Sequence, residues 1–117
     1  MGKPHEQLEA WRFAMQLVNA VYQMTAAFPA EERYGLAQQM RRAAVSIPSN
    51  IAEGAGRNGA KEFLNFIGIA RGSLAELETQ LQLAVMLGFA APDYLAFELA
   101  GRAGKLLTGL HKKLSTT

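Results

Sequence analysis

Hydrophobic residues recur every three or four positions along most of the chain, which predicts amphipathic helices. The first helix is expected from about Glu6 to Ala27, and Pro29 follows its end. Two hydrophobic stripes run along it, although a bundle core needs only one. We therefore expect this helix to pack on two sides. One stripe comprises Leu8, Trp11, Met15, Val18 and Tyr22, and the other comprises Leu17, Val21, Met24 and Phe28.

The second predicted helix begins near Pro29 or near Leu36 and ends at about Ala55. Proline inside a helix removes one backbone hydrogen bond and clashes with the preceding turn, so we expect a kink at Pro48. The alternative is two shorter helices, with Ser46 or Ser49 as the new N-cap. The inner face is predicted at Leu36, Met40, Ala43, Ala44, Ile47 and Ile51, and the next turn at Gly54, Gly56 and Gly59.

Two further helices are predicted, from about Ala60 to Leu87 and from Pro92 onward. A seven-residue repeat in the third favours bundle packing. Glycines weaken the fourth by roughly 1 kcal/mol each relative to alanine, or else allow close helix contact. Short connections then predict one all-α domain, residues 1–117, folded as an antiparallel up-down-up-down four-helix bundle. The expected core positions are Phe63, Ile67, Ala70, Leu74, Leu77, Leu81 and Ala84, then Leu95, Leu99, Leu106, Leu110 and Leu114.

Composition indicates an interface rather than a membrane protein. Half of the 117 residues are hydrophobic, so some apolar side chains of so small a domain should face outward, where they usually mark contacts. The chain has no cysteine, which excludes disulfides and thiolate metal sites. It has no apolar run of the roughly 18–20 residues that a membrane span needs, and its first residues lack a signal core. We expect a cytoplasmic protein.

Basic residues are the candidate nucleic-acid contacts, although the formal net charge is only +2. They form one group around the second and third helices and another in the fourth. Many are explained as solvated helix faces or as cations that favour a helix C-terminus. In an oligomer, however, their fields would add, and phosphate binding would weaken steeply with salt. The candidates are Arg41, Arg42, Arg57, Lys61, Arg71, Arg102, Lys105, Lys112 and Lys113.

A polar stripe runs beside the apolar face of the second helix. If it faces a matching set on the third helix, Glu53 and Glu76 are expected to hold Arg42 or Arg57 in a partly buried network. Such a network either fixes helix register or forms a binding pocket or an oligomer contact. Its members are Arg42, Ser46, Ser49 or Asn50, Glu53 and Arg57, facing Ser73, Glu76 and Gln80.

Nothing in the sequence predicts catalysis, a metal or a cofactor. The only histidines, His5 and His111, lie near the termini, and no Glu-x-x-His pair is present, as a di-iron bundle would need. An enzyme would require a pocket around a perturbed carboxylate, such as Glu53 or Glu76. Trp11 and Tyr22 resemble a base-stacking pair, but their shared apolar face favours core packing.

Several motifs resemble the four-helix-bundle proteins encoded in 23S ribosomal RNA intervening sequences. The most specific is the run from Ser46 to Gly54, Ser-Ile-Pro-Ser-Asn-Ile-Ala-Glu-Gly, and the match extends from about Leu8 to Phe89. It also includes Trp11, Val21-Tyr22, Phe28-Pro29, Glu32, Tyr34-Gly35-Leu36, Gln39, Arg41-Arg42-Ala43, Arg57, Ala70, Gly72-Ser73-Leu74 and Glu76-Leu77-Glu78.

The resemblance implies a ring-like homopentamer without known catalytic activity. It also implies similarity to the accessory protein of diversity-generating retroelements, which partners a reverse transcriptase and binds nucleic acid through a basic surface. Those relatives are strongly basic, whereas this chain is mildly so. Our first hypothesis is a non-enzymatic homo-oligomeric scaffold that binds RNA, DNA or a nucleic-acid enzyme. The alternative is a protein-binding module with no nucleic-acid role.

Overall fold

Four α-helices account for most of the computed structural model, which describes residues 2–116. They are α1 (Glu9–Ala26), α2 (Leu36–Ala55), α3 (Ala60–Met86) and α4 (Leu95–Ser115). The described residues contain no β-strand, so the all-α prediction is confirmed. None of the helices in this part of the chain is long and apolar enough to cross a membrane.

The helix ends differ from the predicted ones mainly near the N-terminus. A 3₁₀ turn, Pro4–Gln7, precedes α1, and Leu8 between them is extended. A second 3₁₀ turn, Ala30–Glu32, follows Pro29, so α2 begins at Leu36, the later of the two expected starts.

Helix α2 is continuous through Pro48, so the alternative of two shorter helices is wrong. Neighbouring polar side chains bind the backbone of the same helix. Ser49 Oγ donates to the carbonyl of Val45 (2.8 Å), and Asn50 Nδ2 donates to the carbonyl of Ser46 (2.8 Å). These residues therefore do not act as N-caps of a new helix. Apolar packing on both sides of the proline, at Ile47 and Ile51, holds the helix together.

The core lies between all four helices, each of which contacts two others: α1 with α2, α2 with α3, α3 with α4, and α4 with α1. Helix α3 buries the predicted positions from Ile67 to Ala84. Of the predicted leucine stripe of α4, Leu99 is buried and Leu106, Leu110 and Leu114 pack against the core, whereas Leu95 is 53% exposed and departs from the prediction. Small residues fill most of the interface there because they let α4 approach its neighbours closely. The buried positions of α4 are Ala96, Leu99, Ala100, Ala103 and Leu107.

The two stripes of α1 have different surroundings. Leu17 and Met24 of the second stripe are fully buried in the core. The first stripe lies at the edge of the core, where Leu8, Trp11 and Val18 are partly buried, whereas Met15 is 46% exposed and Tyr22 is 42% exposed. The expectation that Tyr22 packs in the core is therefore wrong. Trp11 is half-buried against the core edge and meets the ring of His5 at 4.9 Å, edge to face.

Gly54 is buried in the last turn of α2 rather than in the following turn, which corrects the prediction for this residue. A Cβ at this position would lie 2.7 Å from Cβ of Phe66 and 3.0 Å from Cδ1 of Phe63. The glycine therefore lets α2 and α3 approach closely where the chain reverses. The reversal itself uses Gly59, whose φ of +123° favours glycine.

Candidate interfaces for self-association and nucleic acid

An apolar groove lies on the surface between α1 and α2. The outer stripe of α1 forms one wall of the groove, and Val45 and Pro48 of α2 contribute to the other. Its volume is about 330 Å³. Exposed apolar surface of this kind usually marks a contact with another macromolecule. We call it the α1/α2 groove; its lining is Trp11, Met15, Val18, Val45, Pro48, Ser49 and Ala52.

Beyond Val45 this surface continues into a basic and aromatic depression of about 570 Å³. Arg41 is held in place there: its Nε donates to Thr25 Oγ1 (2.8 Å), and its guanidinium lies 4.5 Å from the centre of the Tyr22 ring. Arg33 and Tyr34 also line the depression; neither was a predicted site residue, although Tyr34 belongs to the motifs that carry the family resemblance. The signal available in the sequence was the adjacent basic and aromatic residues, Arg33 and Tyr34, just before α2.

A second groove runs between α3 and α4. Three glycines of α4 line it, Gly101, Gly104 and Gly109, which we call its glycine floor; Leu74 and Thr108 line it beside them. Arg71 and Lys105 line it together with Glu78, and its volume is about 660 Å³. Burial raises the pKa of the Glu78 carboxyl above its ordinary value of 4.5.

The same two helices enclose another depression of about 480 Å³, nearer the start of α3 and the end of α4. Lys61, Asn65 and His111 line it. Lys61, Arg71 and Lys105 are three of the nine predicted basic residues, and all three line the depressions between α3 and α4. We call the two depressions together the α3/α4 groove.

The other predicted cations lie elsewhere. Arg57 is neutralised locally, since its guanidinium is 2.7 Å from Glu53 and 3.9 Å from Glu62. Arg102 lies over the Phe13 ring, 4.6 Å from its centre, at the α1/α4 side. Arg41 and Arg42 belong to the basic depression beside α1, and Lys112 and Lys113 to the last turn of α4. The nine residues are thus distributed over several surfaces of one subunit.

The predicted polar network divides into separate groups. Ser46 and Ser73 share a hydrogen bond of 2.8 Å between α2 and α3, and Asn50 Nδ2 donates to Ser46 Oγ (3.0 Å). The predicted Glu53–Arg57 pair forms within α2, but both side chains are about half exposed. Among residues 2–116, Arg42 forms no ion pair with either glutamate.

Glu76 instead accepts a hydrogen bond from Gln80 Nε2 (3.3 Å) on its own helix. Gln80 is only 5% exposed, and its Oε1 has no hydrogen-bond partner among the described residues. The sequence analysis placed Gln80 beside Glu76, but alternation of apolar and polar residues did not predict that an amide would be buried there.

The fold and the motif around Pro48 correspond to a known family. The model of the 23S rRNA-intervening sequence protein family matches residues 6–108, which is most of the chain. The chain belongs to this family. The resemblance stated from the sequence is thereby confirmed, and the match includes α1, α2, α3 and most of α4. A comparison with curated proteins found no match.

In this 23S rRNA-intervening sequence protein, the described residues bring no three His, Cys, Asp or Glu side chains together in a way that could hold a metal ion. The features with recognisable chemistry are instead two surface grooves of different character. One is apolar with a basic end, between α1 and α2, and the other is glycine-floored and carries cations, between α3 and α4.

Proposed function

We propose that this 23S rRNA-intervening sequence protein is a non-enzymatic subunit of a closed homo-oligomer that acts as a scaffold for nucleic acid or for a nucleic-acid enzyme. Five subunits are the number that the family resemblance implies, and a cytoplasmic location accompanies the proposal. A reverse-transcriptase-like protein is the enzyme partner implied by the same resemblance. The observation that carries self-association is the outer stripe of α1, whose Met15 and Tyr22 are exposed on the surface of the single subunit.

We infer an antiparallel up-down-up-down order of helices within the subunit. Contacts between α2 and α3 support it, because Gly54 lies against Phe63 and Phe66 whereas the earlier Ser46 bonds the later Ser73. The same reversal holds for α3 and α4, where Leu74 is opposite Gly104 and the earlier Asn65 lies beside the later His111. A bend of α2 near Pro48 belongs to the same proposal, since proline cannot donate to the carbonyl four residues earlier.

The outer stripe supports self-association because of its length and continuity. Its helical part extends from Trp11 to Tyr22, about 16 Å of helix, and Val45 of α2 broadens it. Exposed apolar side chains of one subunit gain free energy when a partner removes them from water, at about 25 cal/mol per Å². A stable contact buries about 800 Å² on each partner, so the stripe would form the apolar centre of a contact that also takes in neighbouring surface.

Light scattering coupled to size exclusion tests the assembly. We expect the wild-type chain to have a mass several times 12.7 kDa, and Met15→Glu to lower it because a carboxylate would enter the apolar contact. Gln16→Glu is the matched control, since Gln16 is exposed and adjacent on α1 but lies outside the groove. A wild-type mass equal to one subunit over the whole concentration range would refute self-association.

The α3/α4 groove is the candidate surface for nucleic acid. Lys61, Arg71 and Lys105 line it, and the glycine floor lets an extended chain approach the backbone. No Phe, Tyr or Trp side chain is among its lining residues, so among them only His111 offers a ring for base stacking. We expect binding through phosphates with little dependence on sequence. Repetition of the groove around an oligomer would add the fields of successive subunits.

Filter binding with mixed RNA and DNA at two salt concentrations tests this proposal. We expect retention at low salt, loss at higher salt, and a weaker affinity for the Arg71→Gln, Lys105→Gln double variant. Arg57→Gln combined with Glu53→Gln is the control, because it removes a neutralised pair and leaves the net charge unchanged. Absence of retention at low salt would favour the alternative, a protein-binding module with no nucleic-acid role.

A further inference from the structure

A second outward-facing stripe lies on α3, beside its contact with α2. Ile69, Glu76 and Leu83 follow one another at intervals of seven residues, so they share one face of the helix. Ile69 is 46% exposed and Leu83 is 40% exposed. Ser73, between the first two, bonds Ser46 of α2, which shows that this face adjoins α2. We call Ile69, Glu76 and Leu83 the α3 stripe.

The α3 stripe and the α1/α2 groove carry opposite unpaired charges. Among residues 2–116, neither Glu76 nor Arg42 forms an ion pair, although both are exposed. Glu76 stands between two apolar residues, and Arg42 lies at the basic end of an apolar groove. Each surface therefore offers apolar contact area together with the charge that the other lacks.

The two surfaces also match in height along the bundle. Arg41 contacts Tyr22, which places this part of α2 level with Tyr22 of α1. The Ser46–Ser73 bond aligns α2 with α3, so Glu76, about 4.5 Å further along α3, lies near the height of Arg42. Ile69 lies seven residues before Glu76 on α3, and Met15 lies seven residues before Tyr22 on α1. Ile69 and Met15 therefore again lie at nearly the same height.

We propose that the α1/α2 groove of one subunit, together with the basic depression that continues it beyond Val45, takes the α3 stripe of a second copy of this chain, with Ile69 against Met15 and Glu76 against Arg42. The proposal rests on self-association as stated above and specifies its two surfaces. A closed ring has no rise along its axis. If the bundle axes follow the ring axis, residues that meet across the contact must therefore lie at equal heights, as these pairs do.

The angle between the two surfaces fits a small ring. Both surfaces border α2, so they are adjacent faces of a four-helix bundle and point in directions that differ by roughly 90–110°. Head-to-tail contacts at this angle close into a ring after about four or five copies. In such a ring α2 lines the interior and α4 lies on the outer rim. The α3/α4 groove then stays accessible from outside.

Cross-linking tests the contact directly, because the chain contains no cysteine. We expect Met15→Cys with Ile69→Cys in one chain to give a ladder of covalent multimers on a non-reducing gel after mild oxidation or treatment with a short bis-maleimide. Each single variant should stop at a dimer. Within residues 2–116, α1 and α3 do not contact each other, so a bond within one subunit does not compete.

A charge exchange provides the second measurement. Arg42→Glu or Glu76→Arg alone should raise the concentration at which half the oligomer dissociates by about tenfold or more, because like charges would then face each other. The double exchange should return it to within about threefold of the wild type. An oligomer that shows neither the ladder nor the rescue would overturn the proposed contact while self-association stands. A wild-type chain that is monomeric would instead refute self-association itself.

Discussion

Gly54→Ala is expected to destabilise the protein, although alanine is the better helix former. Gly54 lies inside α2 and is buried, and an added Cβ would be 2.7 Å from Cβ of Phe66 and 3.0 Å from Phe63. Cβ atoms do not approach one another this closely, and the first of these neighbours cannot rotate away. The α2 and α3 backbones must separate to admit the methyl group.

The magnitude follows from two opposing contributions. Replacing glycine by alanine inside a helix contributes about 1 kcal/mol in favour of folding. Overpacking a well-filled contact costs typically about 1–3 kcal/mol, and more when backbone must move. At this separation we expect the steric cost to prevail and the free energy of unfolding to fall by about 1–2 kcal/mol. The melting temperature should then fall by about 3–8 °C.

Urea unfolding at one fixed protein concentration measures the change, since the proposed assembly would make stability depend on concentration. Gly68→Ala and Gly101→Ala are the matched controls, because both glycines lie inside helices and an added Cβ meets nothing within 4 Å. These controls should gain up to about 1 kcal/mol. If Gly54→Ala stabilises the protein as much as the controls do, the close approach of α2 and α3 at this position is refuted.

Three further predictions concern polar groups. The Ser46–Ser73 hydrogen bond should give a coupling of about 0.5–1.5 kcal/mol in a double-mutant cycle with alanine, measured by urea unfolding; additive single variants would contradict it. Gln80→Met should raise the free energy of unfolding by about 1 kcal/mol, because it removes a buried oxygen without a partner, and calorimetry that shows a loss would contradict this. Since burial raises the pKa of Glu78 in the folded state, its contribution to stability is full below pH 4.5 and is lost as the pH rises through the folded pKa. Glu78→Gln should therefore stabilise the protein at pH 7 relative to wild type but not at pH 4, as denaturant midpoints at the two pH values would show.

Helix α3 shows how far apolar spacing alone determines burial. Its seven-residue repeat identified Ile67, Leu74 and Leu81 as core positions, because a helix that keeps one face apolar over its length has only one face to bury. Helix α4 shows the limit. Its leucines identified the inner face except at Leu95, which faces solvent, but they did not predict that Ala96, Ala100 and Ala103 are buried beside them, since small residues decide how closely helices approach and spacing does not report that distance.

The candidate surfaces were predicted less completely than the helices. The basic residues were identified by type, but spacing did not show that Lys61, Arg71 and Lys105 follow one groove or that Arg57 is neutralised by two glutamates. The shared hydrogen bond of Ser46 was foreseen from the polar stripe. The burial of Gln80 without a partner for its oxygen was not.

The sequence by itself determined the all-α class, the family and the existence of two apolar stripes on α1. These properties follow from local periodicity and from a specific motif, which need no knowledge of neighbouring helices. Only the tertiary structure decided which stripe is buried, because both have helical spacing and the choice depends on where α2 and α4 pack. The stripe left outside, beside Val45 of α2, is therefore a property of the packed bundle rather than of any one helix.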